Sequence, residues 1–361
     1  MKTINFYGEI NDFSGYGNAS RALAIAFSKS DVSLKICSDI TNSNKAFVSS
    51  LKITDDVGGI DFYVGEPPWN KVKNNNYKIA YFNWKTDKLP NAWKNALSSV
   101  NEIWVPTLYQ KDLVVSSGFR GEVCVIPTPS LPRNFSRKTL LSTKRDKDIL
   151  ADEIFNFYAI MNWHEREGWK ELLSAYYKSF KPEEKVCLVL KANPLPGNTA
   201  QSIVKDINSL KYHSGLKYFP KVFLITDRLN EDYVSALHAS CRVFVSPHRG
   251  KGWGMSIHDA LLANNLVIST KFGGISDWLD DSNSKIVKHI MGPVSNMSWN
   301  PLYNTSQNWA NPSILSLASQ MRDCYDNFMT YEEVVLAGHD LAMNFTTDAV
   351  SQYINSRLES L

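Results

Sequence analysis

The chain reads as two doubly wound α/β domains, each a Rossmann-like parallel sheet, facing one another across a cleft. Three observations predict this. Short apolar runs alternate with longer amphipathic stretches, the pattern of repeated βα units rather than of a β meander. A Pro-rich, strongly basic segment interrupts that pattern near the middle of the chain. The length of 361 residues, with 43% hydrophobic and 21% charged residues, suits two globular domains and excludes disordered and fibrous architectures.

Taken in order, residues 4–7 read as a first strand, a loop rich in Gly and Ser follows, and 19–27 has helical spacing. Further strands are expected at 59–64, 77–82, 102–105 and 123–126, completing a domain over residues 1–132. Pro127, Pro129 and Pro132 then break the pattern. Residues 133–150 read as a basic linker carrying Arg133, Arg137, Lys138, Lys144, Arg145 and Lys147. A second strand series at 155–161, 186–191, 221–225, 241–245 and 266–270 defines a domain over 151–335. Doubly wound domains bind ligands at the carboxyl ends of their strands, so the site is expected there. The chain from Ser313 onward looks helical, and 336–361 is expected to pack back toward the first domain. No repeat of 20 to 50 residues is present, which excludes a solenoid.

Cys37, Cys124, Cys187, Cys241 and Cys324 are widely spaced, odd in number and without a CxxC pair. This argues against a disulfide framework and a structural zinc site, and for a reducing compartment. No apolar run approaches the roughly 18 residues that span a bilayer, and the start, MKTINFYGEINDF, carries carboxylates where a signal peptide needs an apolar core. A cytoplasmic protein without a transmembrane segment is expected. Oligomeric state is not legible.

The segment VFVSPHRGKGWGMSIHD, residues 243–259, bears the clearest chemistry. A buried strand runs into a loop holding Gly250, Gly252 and Gly254, and a helix starts near Met255 and Ser256. Glycines let backbone amides approach a ligand, and a helix start offers free N–H groups with partial positive charge, so a phosphate or diphosphate is expected here. Arg249 and Lys251 add positive charge, and Asp259, one turn into the helix, has the chemistry to accept hydrogen bonds from ribose hydroxyls. The competing reading is a tight strand-to-helix turn with solvated basic residues.

Other site types fit less well. Asp146 and Asp148 have metal-pair spacing but lie in the basic linker, and His248 and His258 flank the Gly loop without a third ligand, so no metal is predicted. Gly15-Tyr16-Gly17 lacks the third glycine of a dinucleotide fingerprint, Ser20 standing there, which disfavours a dehydrogenase.

The run HRGKGWGMSIHDALLANNLVIST with FGGISDWL resembles the donor-site signature of family 4 glycosyltransferases of GT-B fold. That signature has a Glu at each end of a seven-residue gap around a GWG or GFG loop, then Gly-Gly and an acidic residue. Lys251 takes the first Glu position and Asp259 the second, while Gly273, Gly274 and Asp277 match the later piece. The resemblance extends over nearly the whole chain, through SGYGNASRAL, YFNWKTDKLPNAW, NEIWVPTLYQKDLVVSSGF, VCVIPTP and CLVLKANP. NWHEREGWKELLSAY stands in place of the family's Arg-Lys-Gly segment.

The resemblance implies sugar transfer from a nucleotide-activated donor, UDP-linked as co-substrate, with retention of configuration, no cofactor and no essential metal. The second domain would hold the nucleotide and the first the acceptor. Arg166, Lys191, Arg249, Lys251 and the amides after Gly252 would stabilise the charge of the leaving diphosphate, with Gly15, Tyr16 and Gly17 on the opposite wall. Trp253 would shape the pocket or simply pack. Lys251, Lys85 and Asp87 are the catalytic candidates. Two departures stand out: Lys251 and Lys85 both replace family Glu residues. Exchanging an acceptor for a cationic donor implies an unusual sugar, a pentose or a carboxylate-bearing one, or a changed role; the alternative is that both positions are tolerant. All seven histidines lie at or after His164, so a family histidine of the acceptor domain has no counterpart.

Charge bears on the acceptor. The net charge of +3 divides into +6 for residues 1–150, with 20 Lys and Arg against 14 Asp and Glu, and −3 for the remainder. Aromatics and cations interleave in 69–78, where Lys71 and Lys73, with Trp84 further on, are the acceptor-binding candidates. Such stretches suit an anionic acceptor. One form is DNA bearing a hydroxylated or hydroxymethylated base, flipped from the stack as for phage enzymes of GT-B shape. The other is a glycan or lipid-linked saccharide at a membrane surface. A solvated basic surface and a non-catalytic sugar-nucleotide-binding protein remain the alternatives.

Overall fold

The computed structural model describes residues 2–12, 14–69, 74–136 and 153–361. The first domain is a parallel sheet of β1 (Lys2–Tyr7), β2 (Val32–Ile36), β3 (Ile60–Val64), β4 (Tyr77–Tyr81), β5 (Glu102–Val105) and β6 (Glu122–Val125), in the order β2-β1-β3-β4-β5-β6. The second is a parallel sheet of β7 (Phe155–Asn162), β8 (Val186–Asn193), β9 (Lys221–Ile225), β10 (Val243–Ser246), β11 (Leu266–Thr270) and β12 (Lys285–Val287), in the order β12-β11-β10-β7-β8-β9. Both sheets are doubly wound, as the alternating pattern predicts. A small antiparallel pair, β13 (His289–Pro293) and β14 (Asn308–Pro312), joins the second domain near the seam.

Each order reverses once, between β1 and β3 in the first sheet and between β7 and β10 in the second. At such a switch point the connections leave in opposite directions and open a crevice beyond the strand ends. The candidate site lies at these two crevices.

The cores follow from the strand sequences. Phe6, Phe27, Phe62 and Trp104 are fully buried, and Phe27 lies edge-on to Phe62 with ring centroids 4.7 Å apart. In the second domain Leu172, Leu188, Leu190, Val245 and Ile268 form a fully buried apolar layer. The first helix runs Gly15–Ser28, four residues earlier than its apolar spacing predicts, because the Ser14 hydroxyl caps it by accepting from Gly17 N–H. Strand β2 escapes the sequence pattern: VSLKI is an edge strand with only Val32 and Leu34 buried. The predicted strand at 241–245 begins instead at Val243, since Cys241 closes the preceding helix Glu231–Ser240.

The tail is helical throughout and divides between the domains. Helix Glu332–Met343 packs on helix Met255–Leu262, and helix Thr347–Glu359 packs on Gly15–Ser28. Val350, Ile354 and Leu358 enter the first-domain core, and Arg357 Nε lies 2.7 Å from the Oε1 of the fully buried Glu102. Among the described residues no helix is long and apolar enough to cross a membrane.

Candidate active site

The two domains meet closely where the Gly loop after β10 faces the loop after β4. A Cβ on Gly250 would lie 1.8 Å from the Lys85 carbonyl oxygen, and one on Gly252 would lie 1.9 Å from Asn83 Oδ1. Glycine is required at both positions by the approach of the other domain. Gly274 is held in the same way, 1.7 Å from Gly252 O by the same construction and 3.2 Å from Thr107 Oγ1. Asp87 clamps the seam through both carboxylate oxygens, accepting from Asn308 N at 2.6 Å and Asn308 Nδ2 at 2.9 Å. Asp277 accepts from Tyr109 N at 2.9 Å at the start of helix Leu108–Ser116.

Beside this seam, charges from both domains converge. Lys251 Nζ donates to Glu167 Oε2 at 2.6 Å, and Arg166 Nη2 lies 3.0 Å from Glu167 Oε1. Arg166 Nη1 also donates to Gly250 O at 2.7 Å, while Arg249 N donates to Arg166 O at 2.7 Å, which ties the loop after β7 to the Gly loop. Gly168 completes the joint: its φ is +70°, and a Cβ there would lie 1.9 Å from Pro247 O. From the first domain, Lys85 Nζ lies 3.7 Å from Glu66 Oε1 and 3.4 Å from the Tyr16 hydroxyl, which itself donates to Asn83 O at 2.9 Å. Three cations thus share two carboxylates in one cluster. The surplus positive charge is what a diphosphate would neutralise.

Protonation follows from burial and these pairs. Burial disfavours the charge on Glu167, but Lys251, Arg166 and His164 outweigh it and hold the carboxyl well below the usual range. Burial lowers Lys85 to about 8, with Glu66 opposing the shift. Lys191, buried at the end of β8 and donating to Asn193 Oδ1, is also lowered to about 8 by burial. His164 is pushed down to about 3 by burial and by Arg166, so it is neutral. His248 is fully buried beside Lys251 and Glu167, and neither of its ring nitrogens has a hydrogen-bond partner.

Residues 153–293 match the family model described as Glycosyl transferases group 1. Over its whole length the chain is similar to HepE from Anabaena, whose structure holds UDP and glucose, with a TM-score of 0.67, 14% identity and 100% of both chains covered. Sucrose-phosphate synthase from Thermosynechococcus elongatus gives 0.67 at 12% identity, covering 100% of this chain and 99% of that one. A glycosyltransferase from Rickettsia africae gives 0.67 at 11% identity, covering 99% and 98%. The chain has the GT-B glycosyltransferase fold. No curated protein matches the sequence.

Within this GT-B frame, the residues singled out by sequence are placed unevenly. Lys85, Tyr16, Arg166, Lys251 and the Gly loop come together at the seam, and Lys191 stands at the neighbouring strand end. Gly15 faces open space, whereas Gly17 is required because a Cβ would lie 1.9 Å from Asp12 O. Arg249 is committed elsewhere: its Nη2 donates to Glu165 at 2.9 Å and Glu171 at 2.8 Å, and its side chain is 6% exposed. Asp259 is likewise occupied. It is the buried partner of Arg133, with Nε 3.0 Å from Oδ2, and burial raises its carboxyl to about 6. Trp253 packs into the second-domain core against Trp278 and Phe345, and Trp84 is fully buried between Trp93 and Tyr303, so neither presents a ring to the cleft surface. Met255 and Ser256 start their helix behind Gly254, whose φ is +83°. Lys71, Lys73 and the linker residues Arg137, Lys138, Lys144, Arg145, Asp146, Lys147 and Asp148 lie outside the described residues.

Sequence reasoning missed Glu167, Glu66 and Tyr303, which hydrogen-bonds Arg166. A signal for Glu167 was present: Arg166-Glu167-Gly168 stands where the resembled family has Arg-Lys-Gly, one charge reversal beside another at Lys251.

Proposed function

We propose that the chain transfers a sugar from a nucleotide-sugar donor, UDP-linked, to an acceptor hydroxyl, with retention of configuration and without a required metal. The observation that carries this reading is the cluster of Lys85, Arg166 and Lys251 sharing Glu66 and Glu167 at the two switch points of a GT-B fold. A leaving diphosphate gains negative charge as its bond to the anomeric carbon breaks, and preformed cations stabilise that charge without reorganisation. On this reading Arg166 and Lys251 would supply those cations from the second domain and Lys85 from the first, a role that their shared carboxylates support. In a one-step transfer with retention the acceptor oxygen bonds the anomeric carbon on the face the diphosphate leaves. The hydroxyl proton then passes to the departing phosphate oxygen, giving a glycoside and a nucleoside diphosphate. UDP as the carrier is supported by HepE, whose structure holds UDP and glucose.

The test is incubation with a panel of nucleotide sugars, with and without a chelator, followed by NMR of the product anomer. Chelator-insensitive release of UDP and a product of unchanged anomeric configuration are expected. Tight nucleotide binding with no turnover of any donor would overturn the enzyme reading and leave a sugar-nucleotide-binding protein.

A further inference from the structure

We propose that the hairpin of β13 and β14 is a strap by which the second domain grips the first, and that Asp87 and Asn308 are positioning residues acting through Tyr303 on Arg166. The effect on turnover rests on the glycosyl-transfer reading, whereas the grip itself is a matter of geometry.

The connection between the two strands, residues 294–307, is a built structure rather than a slack turn. Gln307 is 1% exposed and braces it: Nε2 donates to Leu302 O at 3.0 Å, and Oε1 accepts from Asn304 N at 3.1 Å. The side chains of Asn300 and Asn304 accept from Leu302 N and Ser306 N, each at 3.0 Å. The first-domain surface that it meets is held as firmly. Trp84 N donates to Gln110 Oε1 at 2.8 Å, and Gln110 Nε2 donates back to Trp84 O at 2.6 Å. Trp84 Nε1 donates to Thr86 Oγ1, which in turn donates to Lys88 O at 3.0 Å. With both sides braced internally, a shift at one contact between them is passed to the next.

The contacts across the seam run from this strap to the charged cluster. Besides its two carboxylate bonds to Asn308, Asp87 donates its own N–H to Asn308 O at 3.1 Å, and Lys88 Nζ donates to Ser306 O at 3.0 Å. Next to these bonds Tyr303 stacks on Trp84 with ring centroids 4.8 Å apart, and its hydroxyl accepts from the Arg166 guanidinium. The other bonds of Arg166, to Gly250 O and Glu167, stay within the second domain. Tyr303 is therefore the contact through which the placing of the first domain reaches Arg166. A carboxylate whose two oxygens both accept from one asparagine is a clamp, which gives Asp87 a role other than that of a reacting group.

A reciprocal exchange in the full chain tests this. Asn308→Asp sets two carboxylates against each other and should lower kcat/KM for the donor by about tenfold or more. Adding Asp87→Asn restores both bonds with the two side chains in exchanged roles, so the pair should recover most of that loss. Were Asp87 a catalytic residue, its removal could not be made good from position 308. Tyr303→Phe keeps the stack on Trp84 but loses the bond to Arg166, and in that background Asn308→Asp should cost much less than in the wild type. Hydrogen-exchange mass spectrometry reads the grip without turnover: peptides over 83–88 and 302–308 should both exchange faster in Asn308→Asp and return toward wild type in the exchanged pair. Thermal melts verify that each variant folds. Should Asn308→Asp not fold, the exchanged pair still decides, since near wild-type turnover without a carboxylate at position 87 is expected of a clamp alone. An inactive exchanged pair, an undiminished cost of Asn308→Asp beside Tyr303→Phe, or unmoved exchange at both peptides would overturn the strap and leave glycosyl transfer standing. A wild-type chain that turns over no donor would overturn the transfer reading, and the exchange pattern would then decide the strap by itself.

Discussion

Lys251 and Glu167 show how one residue's meaning depends on its partner. A lysine at 251 looks like a lost carboxylate in the sequence, yet in the fold a carboxylate sits 2.6 Å from it. Removing one member of a buried pair leaves an uncompensated charge, a cost of about 3–5 kcal/mol. Glu167→Gln should therefore lower the melting temperature and donor turnover together, and Lys251→Ala should abolish most donor turnover. The exchange Glu167→Lys with Lys251→Glu should recover part of the loss, giving a coupling of at least about 1 kcal/mol in a double-mutant cycle of thermal unfolding. Lys85 makes a separate prediction. With its pKa lowered to about 8, the charge it brings to the cluster is present below that pH and lost above it. Turnover should fall as pH rises through about 8. Because Lys191 is lowered to the same range, Lys85→Arg and Lys191→Arg together should move that alkaline limb upward in the kcat profile.

At the scale of elements, the Gly loop is a joint between domains as well as a turn into a helix. Gly250→Ala or Gly252→Ala would force the loop off Lys85 O or Asn83 Oδ1 and displace the charged cluster by the order of 1 Å. Misplacement of that size costs about 10²-fold in rate. Steady-state kinetics should show such a loss with the far-UV circular dichroism retained. Gly59→Ala, where the new methyl meets open space, is the matched control and should behave as wild type. The last helix makes a prediction of its own. Ile354 is fully buried in the core of a domain whose strands lie more than 200 residues earlier, so Ile354→Ala should cost about 2–5 kcal/mol in thermal unfolding.

For the whole molecule, acid stability is governed by histidines held neutral by burial. His164 and His238 are lowered to about 3, His258 to about 4, and His248 well below its ordinary 6.5. In each case the unfolded chain binds a proton that the folded chain refuses. Stability is full above about 6.5 and falls as pH drops below it, because each such histidine takes up a proton in the unfolded chain alone. Asp259 acts in the opposite sense, since its raised pKa of about 6 favours the fold as pH falls from 6 toward 3.8. With His289 lowered by burial as well, five histidines stand against one carboxyl, so the melting temperature should decline from pH 7 to pH 5 in calorimetry.

Two doubly wound sheets, the Gly loop at 250–254 and a helical tail were legible in the sequence by itself, because each is a local matter of periodicity, capping and glycine spacing. Edge strand β2 was not, since a half-buried strand lacks a full apolar run. Of the candidate site, Lys85, Arg166 and Lys251 stand out in the sequence as candidates, but what each charge faces does not. Only the tertiary structure set Glu167 against Lys251 and Arg133 against Asp259. The physical reason is that periodicity is a property of neighbours in the chain, whereas electrostatic energy depends on distance in space. A net charge summed along the sequence carries no record of where in the fold its members meet.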